Sequence, residues 1–287
     1  MSDRYTALSV DSARGVTTVT IDHPPVNLFD EILIADLDRL YHDIRDDPGT
    51  RVVVFTSADP EFFLSHGDMR LVTDPEALAA YARGPAPTLF ARYRELSRPT
   101  IAKIAGRVRG GGAEFLLSLD MRYAALDHAW FGQPEVGLGI FPGGSGTQLL
   151  PRLIGRSRAL EVVLGGGLHD ARTAERYGWI DRALPAAELG EFVDDLARRI
   201  AGQPPAAVAA ALRAVRAAAE LPLAEGLARE TELLLPLFTG DDARQRFSAA
   251  LAAGAQTRAG ELELESLIEH CGPAAFNPVG AERDRAR

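Results

Sequence analysis

The chain has 287 residues, of which 46% are hydrophobic and 25% charged, the mix of a globular protein long enough to bury a core without covalent staples. Its formal net charge of −9 argues against nucleic acid or an anionic membrane as a general partner. The single cysteine, Cys271, excludes an intrachain disulfide and suits a reducing compartment. No apolar run reaches the length of a membrane span. The opening MSDRYTALSVDSARG lacks the basic start and apolar centre of a signal peptide, so a cytoplasmic chain is expected. Lys103 is the only lysine, and any phosphate held by a side chain is expected to meet an arginine fork.

Along the chain, the alternation GVTTVTID at residues 15–22 reads as a strand, ended by His23-Pro24-Pro25. Asp30 can cap a helix to about Asp46, with Ile32, Leu33, Leu37, Leu40, Tyr41 and Ile44 at helical spacing. Residues 51–56 read as a short buried strand, 57–67 as a loop and 75–96 as helical. Residues 100–105 form a further strand, Gly110-Gly111-Gly112 opens a helix through Leu119, and 121–125 read as one more strand. After Phe141 the pattern turns helical, near 156–164, 171–178, 187–201, 205–219, 223–237 and 241–253. Strand-helix alternation followed by helices predicts an α/β core with a helical appendage. The division expected is a core over 1–200, a helical region over 201–270 and a flexible tail over 271–287.

Several familiar sites fail on inspection. A phosphate loop needs a lysine where Lys103 does not stand. Gly137-Leu138-Gly139 lacks the third glycine of a dinucleotide fingerprint. Gly143-Gly144-Ser145-Gly146-Thr147 lacks the final glycine of a nucleophile elbow, and the six histidines show no metal-ligand spacing.

Two carboxylates in glycine-rich settings remain. Glu114 follows Arg109-Gly110-Gly111-Gly112-Ala113 and falls in the first turn of a helix, where free N–H groups and the dipole favour an anion. Taken alone, this also suits a Glu that only stabilises the helix dipole. Glu135 stands in Phe131-Gly132-Gln133-Pro134-Glu135, ahead of the run VGLGIFPGG, and could equally be a buried Glu satisfied by backbone N–H groups. Two carboxylates converging on one apolar pocket can serve as acid and base, with their pKa values driven apart.

These residues resemble the crotonase (enoyl-CoA hydratase/isomerase) superfamily, most closely in PTIAKIAGRVRGGGAEFLLSLDMRYA, FGQPEVGLGIFPGGSGTQLLPRLIG and GGGLHDARTAERYGWIDRALP. The resemblance runs from about Val16 to Leu184, and HPPVNLFD is similar to the family's first segment, with Asn27 closing the strand turn. It implies a crotonase-like α/β fold of repeated ββα units forming two sheets, with a C-terminal helical trimerisation region. It implies an acyl-CoA substrate, no cofactor beyond that substrate's own coenzyme A, no metal, and a homotrimer or dimer of trimers. The thioester carbonyl would meet the N–H groups of Gly67 and Gly111, an oxyanion hole. Glu114 matches the residue that activates water and Glu135 the one that protonates Cα, which favours hydration over isomerisation. Ser65, His66, Asp68, Gly110, Gln133, Pro134 and Gly143 are expected to line the substrate, with Gln133 orienting Glu135.

The chain departs from the family in three places. His66 stands where a small Gly is usual, able to face the pocket or only to shape the loop. The stretch between Asp120 and Phe131 is one residue longer, and Asp242-Ala243-Arg244-Gln245-Arg246-Phe247 lacks the usual basic pattern near the CoA phosphates, leaving Arg244 or Arg246 as substitutes. Leu71, Val72, Leu78, Tyr81, Leu89, Phe90 and Tyr93 make residues 68–98 a candidate acyl-side wall, although a plain packing face would look the same. Other reactions of the superfamily, and a non-catalytic CoA-ester-binding subunit, stay open at this point.

Overall fold

The structure is a computed structural model and describes residues 4–269 and Cys271. The expected tail over 271–287 lies outside the described residues apart from Cys271. The chain forms two compact units, the first running to Ala201 and the second beginning at Gly202.

The first unit carries two sheets. The larger has the order β1-β2-β3-β5-β7-β10, with β1 Leu8–Ala13, β2 Val16–Ile21, β3 Val52–Ser57, β5 Thr100–Ile104, β7 Met121–Ala125 and β10 Arg182–Leu184. β1 and β2 make a hairpin through Arg14 and Gly15, both at positive φ (53° and 83°), the combination a two-residue primed turn requires. The other neighbours run parallel. β3 shows why this sheet reads as a continuous apolar run. Val53 and Phe55 enter the main core, while Val52 and Val54 enter a second cluster with Leu189, Val193 and Ala197 of helix Ala186–Gly202, so both faces are buried.

The smaller sheet has the order β4-β6-β8-β9, with β4 Phe62–Leu64, β6 Arg107–Arg109, β8 Trp130–Gly132 and β9 Leu168–Asp170. β4, β6 and β8 are parallel, so their carboxyl ends lie along one edge, where loops between parallel strands gather functional groups. The helix expected from Asp30 is α1, Glu31–Asp46, and the Asp30 carboxylate caps it by accepting from Ile32 and Leu33 N–H, each at 3.1 Å. The stretch expected to be helical over 75–96 is broken into Pro75–Arg83 and Ala86–Glu95. Pro85 and Pro87 lack the N–H groups a continuous helix needs.

The second unit is helical, with elements Pro205–Ala217, Leu223–Phe238, Asp241–Ala252, Arg258–Leu262 and Leu264–Glu269. None of these helices buries a residue within the described chain, and Val215, Leu223, Leu235, Phe238 and Phe247 stand exposed. Among the described residues no helix is long and apolar enough to cross a membrane.

Candidate active site

Three loops leave the carboxyl ends of the three parallel strands β4, β6 and β8. The first, Ser65 to Asp68, is held by its backbone. Ser65 N–H donates to Asn27 O at 2.9 Å, Phe29 N–H donates to His66 O at 3.1 Å, and Phe29 bridges to Gly67. Asn27 is the buried pin of this arrangement, at φ 51°. Its amide nitrogen donates to Ser57 Oγ and Phe62 O at 2.9 Å, and its oxygen accepts from His23 N–H at 2.8 Å.

The second loop brings Gly110 and Gly111 beside the first. Gly112 N–H donates to Ser65 O at 3.0 Å and Gly110 N–H to Gly132 O at 3.0 Å, tying the three strand ends together. Helix Gly111–Leu116 starts there, and the expected run to Leu119 finishes as turns. Gly110 must be glycine on two counts. Its φ is 52°, and a Cβ there would stand 2.9 Å from both Glu135 Oε1 and His66 Cβ. A Cβ on Gly111 would lie 3.3 Å from the Gly67 nitrogen, so the two backbones nearly touch. Among the described residues neither the Gly67 nor the Gly111 N–H donates to a protein acceptor. Two free donors thus stand side by side, the arrangement a carbonyl oxygen needs if it is to gain negative charge.

Glu114 lies on the helix that Gly111 opens, and Glu135 Oε1 would stand 2.9 Å from a Cβ on Gly110. Glu114 is 4% exposed and Glu135 9%. Burial raises both carboxyls, Glu114 to about 7. For Glu114 the N–H groups of Gly146 and Gly144 pull the other way, and the charge of Glu135 adds to the rise. The Gly146 N–H donates to Glu114 Oε1 at 2.7 Å. For Glu135 the opposing influences are its own N–H and the neighbouring His66. The Gln133 side chain is fully buried, and its amide nitrogen is assigned toward Glu135, 3.1 Å from each carboxylate oxygen, since the reverse would set oxygen against oxygen.

The remaining expected residues divide. His66 is half-buried at the edge of the site, with ring Nδ1 2.9 Å from Gly67 O. Asp68 accepts from the N–H and guanidinium of Arg70, which hold its carboxyl below the usual range. Pro134 leads into the single turn Glu135–Leu138. The Ser65 hydroxyl donates to Val26 O at 2.7 Å, so this side chain braces the loop from within. Gly143 is exposed, and the nearest atom to a Cβ there would be Phe141 O at 3.8 Å.

The residues overlooked in the sequence are Gly144 and Gly146. A Cβ on either would come within 2.9 Å of a Glu114 carboxylate oxygen, and on Gly144 within 2.6 Å of Phe90 Cε2. Their signal was present in PGGSG, but only in its glycine content. Of the candidate acyl-side residues, Phe90 packs on Phe29 and Phe115 with ring centres 5.4 and 5.9 Å away, and Tyr81 is near enough for the Glu114 charge to raise its hydroxyl, second to burial. Leu89 and Tyr93 belong to the core, where the Tyr93 hydroxyl donates to Leu37 O at 2.8 Å, while Val72 and Leu78 face solvent. Arg244 and Arg246, in the second unit, are each paired with an aspartate on their own helix.

The model of one family, enoyl-CoA hydratase/isomerase, matches residues 11–253. The chain belongs to that family. Its relatives include the 2,3-dehydroadipyl-CoA hydratase of Escherichia coli, 32% identical over 85% of this chain and 95% of that protein. The short-chain-enoyl-CoA hydratase of Clostridium acetobutylicum is 30% identical over 82% of this chain and 90% of that one. Among solved structures, a Streptomyces avermitilis protein provisionally designated an enoyl-CoA hydratase is 45% identical, with a TM-score of 0.70 over 93% of this chain and 98% of that one. The enoyl-CoA hydratase of Geobacillus kaustophilus gives a TM-score of 0.82 at 30% identity over 87% and 95%. The crotonase-like α/β fold is therefore that of this chain, and the protein is an enoyl-CoA hydratase-like enzyme of the hydro-lyase class.

Proposed function

We propose that this protein adds water across the double bond of a 2-enoyl-CoA thioester, in a syn sense, through an oxyanion-stabilised enolate. The observation that carries the reading is the pair of buried carboxyls, both raised by burial, beside two free backbone donors. The Gly67 and Gly111 N–H groups bind the thioester oxygen and favour the charge it gains, and loss of a donor of this kind costs about 3–4 kcal/mol in barrier. Water held at Glu114 attacks Cβ. Its oxygen bonds to Cβ, its proton passes to the Glu114 carboxylate, and the π electrons move to the enolate. Cα then takes a proton from Glu135. The pair ends with one proton, as it began, with its position exchanged.

Burial raises both carboxyls, and the charge of Glu135 adds to the rise at Glu114, so the pair is suited to holding a proton near neutrality. Dehydration of a 3-hydroxyacyl thioester runs the same steps in reverse, starting with Glu135 as base at Cα and Glu114 as acid to the departing hydroxyl. Hydration starts from the state in which Glu135 carries the proton and Glu114 is ionised. Coenzyme A enters as part of the substrate, no separate cofactor takes part, and the protein works in the cytoplasm. The exposed apolar residues of the second unit support assembly into a trimer or a dimer of trimers. The test is incubation with crotonyl-CoA, following absorbance of the enoyl thioester and identifying the product. Formation of 3-hydroxybutyryl-CoA supports the reading. Release of free CoA, or migration of the double bond in a 3-enoyl ester without hydration, overturns it.

A further inference from the structure

We propose that His66 is a positioning residue that sets the orientation of the Gly67 N–H donor by holding the Gly67 carbonyl. The inference rests on the reading that Gly67 N–H receives the thioester oxygen. Gly67 has no side chain, and nothing lies within 4 Å of where its Cβ would stand, so packing does not fix its backbone. A donor that must point at a developing charge works best when fixed beforehand. The peptide before Gly67 Cα, which carries the donor N–H, is held by Phe29 N–H on His66 O at 3.1 Å. The peptide after it is held by the His66 ring, whose Nδ1 lies 2.9 Å from Gly67 O. A carbonyl oxygen only accepts, so Nδ1 carries the hydrogen. With both peptides anchored, φ and ψ of Gly67 are restrained. Gly110 completes the fit, because any side chain there would meet His66 Cβ at 2.9 Å. The His66 Cβ and backbone therefore sit against the residue preceding the second donor.

The test compares two ligands, butyryl-CoA and S-butyl-CoA, a thioether lacking the carbonyl oxygen, by calorimetric titration of the full-length assembled protein. His66→Leu keeps bulk beside Gly110 and removes the donor; His66→Asn keeps a donor at the same distance along the side chain. If the proposal holds, wild type prefers the thioester, and His66→Leu weakens butyryl-CoA about tenfold while leaving the thioether within about twofold. His66→Asn then restores the preference to within about threefold of wild type. If His66→Leu does not fold, His66→Ala takes its place, with the same expectation. An unchanged preference in the donor-free variant, or equal weakening of both ligands, overturns the clamp while the carbonyl reading stands. Absence of any preference in wild type overturns the carbonyl reading and the clamp with it.

Discussion

Removing the Glu114 charge should stabilise the protein, and should do so only above a definite pH. An unfolded Glu titrates near its ordinary 4.5, whereas burial raises the folded Glu114 to about 7. Between those values the native state binds a proton that the unfolded state has lost. The stability linked to this group is therefore fully present below 4.5 and is lost as pH rises through about 7. At 1.36 kcal/mol per pH unit, the displacement corresponds to roughly 3 kcal/mol. Glu114→Gln titrates nothing, so its stability relative to wild type should grow by up to roughly 3 kcal/mol between pH 4.5 and pH 8. Packing and hydrogen-bond costs of the glutamine, including its fit to the Gly146 N–H, are common to both ends of the range and cancel in the difference. The assay is urea unfolding of both proteins at several pH values and one subunit concentration, since assembly is coupled to stability. A gap that stays constant with pH would show that Glu114 ionises normally in the fold, and the argument from burial would fail.

Glu135→Gln should abolish solvent exchange at Cα of a bound acyl-CoA, followed by deuterium incorporation in NMR, and should lower the Glu114 titration by removing the neighbouring charge. Gly110→Ala should cost at least 1–3 kcal/mol in a melting experiment, because φ is 52° and two atoms stand 2.9 Å from the new methyl, and it should remove activity. Gly143→Ala, with its nearest neighbour 3.8 Å away, should leave both within about 0.5 kcal/mol of wild type. Light scattering coupled to size exclusion should give three or six subunits at micromolar concentration, and a monodisperse monomer would contradict the assembly proposed.

The larger sheet was legible in sequence because its central strands are runs of branched apolar residues buried on both faces, as in Val52-Val53-Val54-Phe55. Its edge strand β1 was not. LSVDSA buries only Leu8, and an exposed edge has no periodic face to read. The smaller sheet left no signal at all, since each of its strands has three residues, too few for a period of two. The site hangs on these invisible strands, yet its loops were readable. Gly110 through Glu114 and Gln133 through Glu135 carry their chemistry within five residues or fewer. Contacts that join distant segments, such as Gly146 with Glu114 or Ser65 with Val26, depend on a fold that spacing does not encode. Tyr93 and Phe90 illustrate the same limit. They are three residues apart on one helix, and only the structure sends Tyr93 to the core and Phe90 to the edge of Gly144.

The arrangement of the three strand ends explains how two chemically identical side chains acquire different parts. Glu114 comes from a helix start behind β6 and is turned toward Gly146, so its hydrogen-bond partner is a rigid backbone N–H. Glu135 comes from the turn after β8 and faces the Gln133 amide, with His66 also within electrostatic reach. Burial raises both. Their partners differ: the amide of Gln133 and the electrostatic pull of His66 favour the ionised form of Glu135. At Glu114 the N–H groups of Gly144 and Gly146 favour the ionised form and the charge of Glu135 opposes it. The hydration proposed above uses such a pair, one carboxyl holding a proton and one free of it. On that proposal the proton crosses from one carboxyl to the other in either direction, and the pair leaves the overall equilibrium unchanged.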